Sequence, residues 1–192
     1  MTMDYDAQYE EMLRGDIRLI SEANGTSMEE AFFARVTDTI TGSGEIDALE
    51  YFHHRGTQQS GIRVDGWGGD PRKSKQLTLL IIDYADDINA PTLTGTELNS
   101  QFKRPLRFLK AALDEEWRNR LEETSPGFEL ADMIASRWSS VKKIRLLLLT
   151  DRKLSKRVDG REMTEFMERP VSYSVWDVTR LQRIENSAMG RE

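Results

Sequence analysis

Two aspartates, Asp65 and Asp83, are the residues of this 192-residue chain whose setting most invites chemistry. Both lie in the stretch Gly61–Ala85, which reads as two strands joined by a polar turn. Asp83 closes the apolar run Leu77 to Ile82, broken only by Thr78. Asp65 sits in the first strand, where Ile62 and Val64 alternate with Arg63 and Asp65. An ionised carboxylate at the end of a buried strand requires a partner or a metal. Carboxylates on hairpin-linked strands can be neighbours, and an acid from the preceding segment, Glu29, Glu30 or Glu45, would complete an oxygen site for a hard cation. The plainer alternative is that Asp65 caps the turn and Asp83 caps the start of the next loop.

Other catalytic constellations are missing. No glycine-rich loop precedes a Lys-Ser/Thr pair, and no serine stands in a nucleophile elbow. The only histidines are the adjacent His53 and His54. The chain reads there as the end of a short helix, where neighbours point about 100° apart and cannot grip one ion together. Basic residues fall in two clusters, Lys103, Arg104, Arg107 and Lys110, then Lys142, Lys143, Arg145, Arg152, Lys153, Lys156 and Arg157. Solvated surface is the ordinary meaning of such runs. The sharper meaning is a contact face for nucleic-acid phosphates, with Lys103, Arg104, Arg107, Lys142, Lys143, Arg152 and Lys153 as its candidates.

The elements that must position these side chains follow from periodicity. Tyr5 to Glu22 repeats at helical spacing and stops at Asn24-Gly25. Ser27-Met28-Glu29-Glu30 is a capping box opening a helix with Phe32, Phe33, Val36 and Ile40 inward, ended by Gly42. Glu45 to His54 predicts a short third helix. Then come the paired strands Ile62–Trp67 and Leu77–Asp83. Pro105 predicts a helix over Arg104 to Glu123, and Ser125-Pro126 another. Ile144 to Leu149 reads as a strand buried on both faces, beside Leu77–Ile82. Asp159 to Glu168 predicts a short helix, Val171 to Trp176 a strand, and Asp177 the cap of a closing helix. The fold class is α/β: a mixed sheet with an antiparallel hairpin flanked by helices. One domain over 1–192 is expected, with a helical part at 1–56 and the sheet-containing core at 61–185.

Composition bounds the rest. With no cysteine, thiolate chemistry and disulfides are excluded, which suits the cytoplasm. The polar start MTMDYDAQYEEM does not read as a signal peptide, and no apolar run suggests a membrane span. A net charge of −6 is not the footprint of a dedicated nucleic-acid binder.

Asp65 and Asp83 around a hairpin resemble the PD-(D/E)xK nucleases, with a core of helix, hairpin-containing sheet, helix and further strand. Val64-Asp65 stands where Pro-Asp would, and Asp83-Tyr84-Ala85 where Asp/Glu-x-Lys would, so the catalytic lysine is missing unless Lys143 or Arg145 replaces it. The resemblance implies Asp65, Asp83 and Glu45 around Mg²⁺ or Mn²⁺, and phosphodiester hydrolysis. A second set of residues is similar to the N-terminal domain of the abortive-infection phage-resistance family. It comprises Phe32, Gly44-Glu45-Ile46-Asp47, Tyr51-Phe52, Val64-Asp65-Gly66-Trp67, Asp83-Tyr84, Ile144 to Asp151 and Val175 to Leu181. That resemblance implies bacterial phage defence. It also implies an N-terminal module of a larger protein, partnered by its own C-terminal region or another defence component. The alternative to a nuclease is a non-catalytic module that binds nucleic acid or protein.

Overall fold

The computed structural model describes residues 5–44, 46, 48–56, 59–155 and 164–190. Two helices, α1 (Tyr5–Asn24) and α2 (Met28–Gly42), open the chain. Ser27 accepts the Glu30 N–H, as the cap signal requires. The hairpin region is β1 (Leu49–Arg55), β2 (Arg63–Gly68), a one-turn α3 (Pro71–Ser74) and β3 (Gln76–Asp83). The central helices are α4 (Gly95–Ala112), α5 (Glu115–Arg118) and α6 (Pro126–Arg137). The chain closes with β4 (Lys143–Thr150), β5 (Thr164–Phe166), β6 (Arg169–Trp176) and α7 (Val178–Met189).

The α/β class holds: six strands form one mixed sheet in the order β1-β2-β3-β4-β6-β5. β1, β2 and β3 run antiparallel in turn, while β3, β4 and β6 are parallel. The two apolar runs are therefore adjacent central strands, Leu79 opposite Leu146 and Ile81 opposite Leu148. Strand alternation splits their side chains between two layers. Leu77, Leu79 and Ile81 pack beneath α4 and α6. Leu80 and Ile82 pack beneath α1, α2 and α7 with Phe32, Leu147 and Trp176. Each such side chain, fully buried, contributes roughly 1.5–3 kcal/mol, and burial on both faces explains why these strands lack polar alternation.

Three expectations are corrected. Glu45 to His54 is not a helix: Leu49–Arg55 is edge strand β1, with Tyr51 against Phe33 of α2 and Phe52 against Phe108 of α4. Leu49 and Phe52 only mimic helical spacing. The helix placed at Arg104–Glu123 begins earlier, at Gly95, and ends at Ala112. Its true start is a capping box in which Thr94 accepts the Glu97 N–H and the Glu97 carboxylate accepts the Thr94 N–H; Pro105 lies inside it. Of Asp159–Glu168, residues 159–163 lie outside the described residues, and Thr164–Phe166 is a strand antiparallel to β6.

Candidate functional site

Asp65 is carried by β2 opposite a local irregularity. Tyr51 pairs with Gly66 and His54 with Val64, so Phe52 and His53 stand against the single residue Asp65. Such a bulge re-aims side chains. On its other side β2 pairs with β3 only through Gly66, Trp67 and Gly68. Where that pairing stops, side chains replace it: Ile82 N–H donates to Asp65 Oδ2 at 2.8 Å, and the Arg63 guanidinium donates to Ile82 O at 2.9 Å. Gly66 is required at this crowded point, since a Cβ there would lie 2.7 Å from Leu80 Cδ2 and 2.9 Å from Glu50 O.

Around Asp65 the side chains of Glu29, Arg63, His53 and Arg55 interlock. Arg63 Nε donates to Asp65 Oδ1 at 2.8 Å, and its terminal nitrogen donates to Glu29 Oε2 at 3.2 Å. His53 Nδ1 lies 3.1 Å from Asp65 Oδ1 and 3.6 Å from Glu29 Oε1. Arg55 reaches Glu29 Oε2 from the solvent side at 3.4 Å. The Asp65 side chain is fully buried, and Arg63 is nearly so. One ligand atom from each of Glu29, His53 and Asp65 falls within 4.8 Å of the others.

Asp83 is elsewhere. It follows Ile81 onto the opposite face of β3, beneath α4. There Thr150 Oγ1 donates to it at 2.9 Å and Arg152 at 3.4 Å, while Gln101 of α4 lies 3.5 Å away. Among the described residues, Asp65 and Asp83 share no partner. The carboxyl ends of the three parallel strands in fact carry Asp83, Asp151 and Asp177, an arrangement the sequence reading missed. This is the edge at which open α/β sheets commonly bind ligands. Here the carboxylates tie down loops. Asp151 accepts the N–H groups of Ala85 and Asp86 at 2.8 and 3.0 Å and pairs with Arg14 at 3.2 Å. Burial pushes its carboxyl above the ordinary range, opposed by those two N–H groups and Arg14. The loop needs the tether, because Asp86 has φ of 51°. Asp177 accepts from Arg180 N–H and Leu154 N–H, capping α7 as expected.

The other candidates scatter. Glu45 lies outside the described residues, as do Lys156 and Arg157. Lys103, Arg104 and Arg107 are on α4. Lys142 and Lys143 stand at the start of β4 and Arg152 and Lys153 just beyond its end, roughly 25 Å apart for an eight-residue strand. Arg152 is paired with Asp83 and Glu97, and Lys153 with Glu10 and Asp6. His54 faces away from His53 into the core, between Phe108 and Trp117, where burial lowers its pKa, with the His53 charge adding. A groove of about 750 Å³ runs between α6 and the edge strand β1. Aromatic Phe52, Trp67 and Phe128 line it with Glu50, Glu123, Glu129 and Asp132.

An Asp65–Asp83 ion site does not fit this geometry, since the two carboxylates lie on opposite faces of the sheet. The side chains that β3 turns toward Asp65 are Leu80, Ile82 and Tyr84, the last stacked on Phe32 at 5.0 Å between centroids. Leu80 and Ile82 offer neither a ligand nor a base, and the Tyr84 hydroxyl is donated to Asp86 Oδ1 at 3.0 Å.

A model of the family described as Abortive infection phage resistance protein N-terminal domain matches residues 32–183. No curated protein and no solved structure matches the chain.

Proposed function

We propose that this chain, which belongs to the abortive infection phage resistance family through that family's N-terminal domain, serves phage defence as a non-hydrolytic module that binds a protein partner. The element order supports a restriction-endonuclease-like ancestry: α2, the three antiparallel strands, α4, then β4. The carrying observation is the state of the two aspartates. Asp65 is bonded to Ile82 N–H and Arg63, Asp83 is bonded to Thr150 and Arg152 on the other face, and the β3 side chains beside Asp65 are apolar or aromatic. A hydrolytic site needs a positioned metal or base at the scissile phosphate.

A protein partner is favoured over nucleic acid by charge. Lys142 and Lys143 lie at the opposite end of β4 from Arg152 and Lys153, and the last two are neutralised by acids. The groove beside β1 presents four carboxylates against one guanidinium, Arg137, itself paired with Asp70 at 3.3 Å. That lining repels phosphate and suits a Lys/Arg-rich segment. A metal-dependent nuclease is the second reading, favoured by the close approach of Glu29, His53 and Asp65. Incubating the protein with duplex and single-stranded DNA and with RNA, in millimolar Mg²⁺ or Mn²⁺, separates the two. We expect neither cleavage nor salt-sensitive binding. Cleavage that disappears in Asp65→Asn would refute the non-hydrolytic reading.

A further inference from the structure

The Arg63 guanidinium stands where an ion would stand. It bonds three oxygens from three elements: Asp65 Oδ1 of β2 at 2.8 Å, Glu29 Oε2 of α2 at 3.2 Å and Ile82 O of β3 at 2.9 Å. Two carboxylates and a backbone carbonyl are the oxygen set that a hard divalent cation takes. Charge-assisted N–H donors satisfy the same oxygens without an ion. His53 Nδ1, 3.1 Å from Asp65, adds a nitrogen at the exposed side of the cluster. One imidazole with two carboxylates suits Mn²⁺ better than Mg²⁺.

An ordinary ion pair would not need this convergence. Asp65 is fully buried, yet β1 bulges at Phe52 and His53 opposite it, and β2 leaves β3 without a strand partner on this side at Ile82. The Ile82 carbonyl, left without a strand partner, and the two carboxylates then form a cradle that must hold positive charge, because buried anions are costly unless compensated. A tethered arginine supplies that charge permanently, with no ion to bind.

We infer that Arg63 is a built-in substitute for a divalent cation: Glu29, Asp65, His53 and Ile82 O form a latent Mn²⁺ site that the wild-type chain fills with its own guanidinium. This goes beyond the proposed binding role, since it concerns what the cradle accepts and not what the domain recognises. It places a single residue between this fold and metal competence.

The test is a set of thermal melts of the full chain with EDTA or with millimolar Mn²⁺. Wild type and Arg63→Lys, which keeps the charge, should show no Mn²⁺ shift. Arg63→Met, which keeps length but removes charge, should melt lower in EDTA and rise in Mn²⁺. At an ion concentration about a hundredfold above Kd the rise would be roughly 5–10 °C. Adding His53→Ala and Glu29→Gln to Arg63→Met should remove the rise. Should Arg63→Met fail to fold in EDTA, refolding with Mn²⁺ replaces the melt: recovery supports the inference and no recovery overturns it. A Mn²⁺ shift in wild type, no shift in folded Arg63→Met, or a shift that survives the added substitutions would each overturn it. Nucleic-acid cleavage by wild type would instead count against the proposed function, so the two can fail separately.

Discussion

Asp65→Asn distinguishes a scaffold carboxylate from a metal ligand through stability alone. The substitution keeps the shape of the side chain and removes its charge. One amide oxygen can still accept the Ile82 N–H, but the amide nitrogen must then face Arg63 Nε, a donor, 2.8 Å away in the native chain. Removing one partner of a buried pair costs roughly 3–5 kcal/mol, because the other charge is left uncompensated. Arg63 retains Glu29 and Ile82 O here, so the loss should fall at about 2–4 kcal/mol. In a chain of this length that lowers Tm by roughly 5–15 °C. Circular-dichroism melts at neutral pH, with a urea titration to check that m is unchanged, measure it. If Asp65 and a second carboxylate instead repelled each other across a vacant ion site, neutralising one would leave the apo protein as stable or more stable. An unchanged or raised Tm for Asp65→Asn would therefore refute the reasoning.

Three further outcomes follow from particular contacts. Asp83→Asn should lower stability by about 1 kcal/mol, since Thr150 and Arg152 lose a charged acceptor; Mn²⁺ should alter the melt of neither form. Asp177→Ala should cost about 1–2 kcal/mol in a denaturant titration, because the side chain caps α7 and also holds Leu154 N–H; no change would remove the cap explanation. His54 titrates below its ordinary value because it is buried, so the unfolded chain takes up a proton first. Its contribution to stability is present above the unfolded value of about 6.5 and is lost as pH falls from there through the folded pKa. His54→Phe should accordingly flatten the fall of Tm between pH 7 and 5.

Much of the fold was legible because burial writes itself into spacing. Leu77–Ile82 and Ile144–Leu149 are apolar on both faces because helices cover both faces, which marks both as central strands, and the structure pairs them. Ser27, Ser125 and Asp177 announced helix starts through local hydrogen bonds that involve only neighbouring residues. The failures share a cause. At Thr94 the capping box was written in the sequence, but Pro105 offered a competing start signal further on, and a proline is tolerated inside α4. At β1 the Leu49–Phe52 pair satisfied a helical rule. Strand alternation over Tyr51, Phe52, His53 and His54 has meaning only once α2 and α4 lie on opposite sides.

The site was legible in composition and illegible in geometry. Strand parity alone separates Ile82 from Asp83, so the placement of Asp83 with Ile81 followed from the sequence once β3 was placed. What parity could not reveal is the bulge at Phe52 and His53, because it depends on the register between two strands. Nor could it reveal Glu29, which meets Arg63 across 34 residues through the packing of α2 on the sheet. Arg63 itself was in plain view as the polar alternate two positions before Asp65. It read as a solvent-facing residue, because an alternating strand places charges outward by default. Its burial follows only from the departure of β2 from β3 beyond Gly66. That departure leaves a carbonyl and an N–H on Ile82 that the sheet no longer pairs, and Arg63 and Asp65 are the two side chains of the strand able to serve them. Asp65, which reads as an active-site carboxylate in sequence, thus has an obligatory structural task. This is why neutralising Asp65 and removing Arg63 must be measured separately before either is assigned to chemistry.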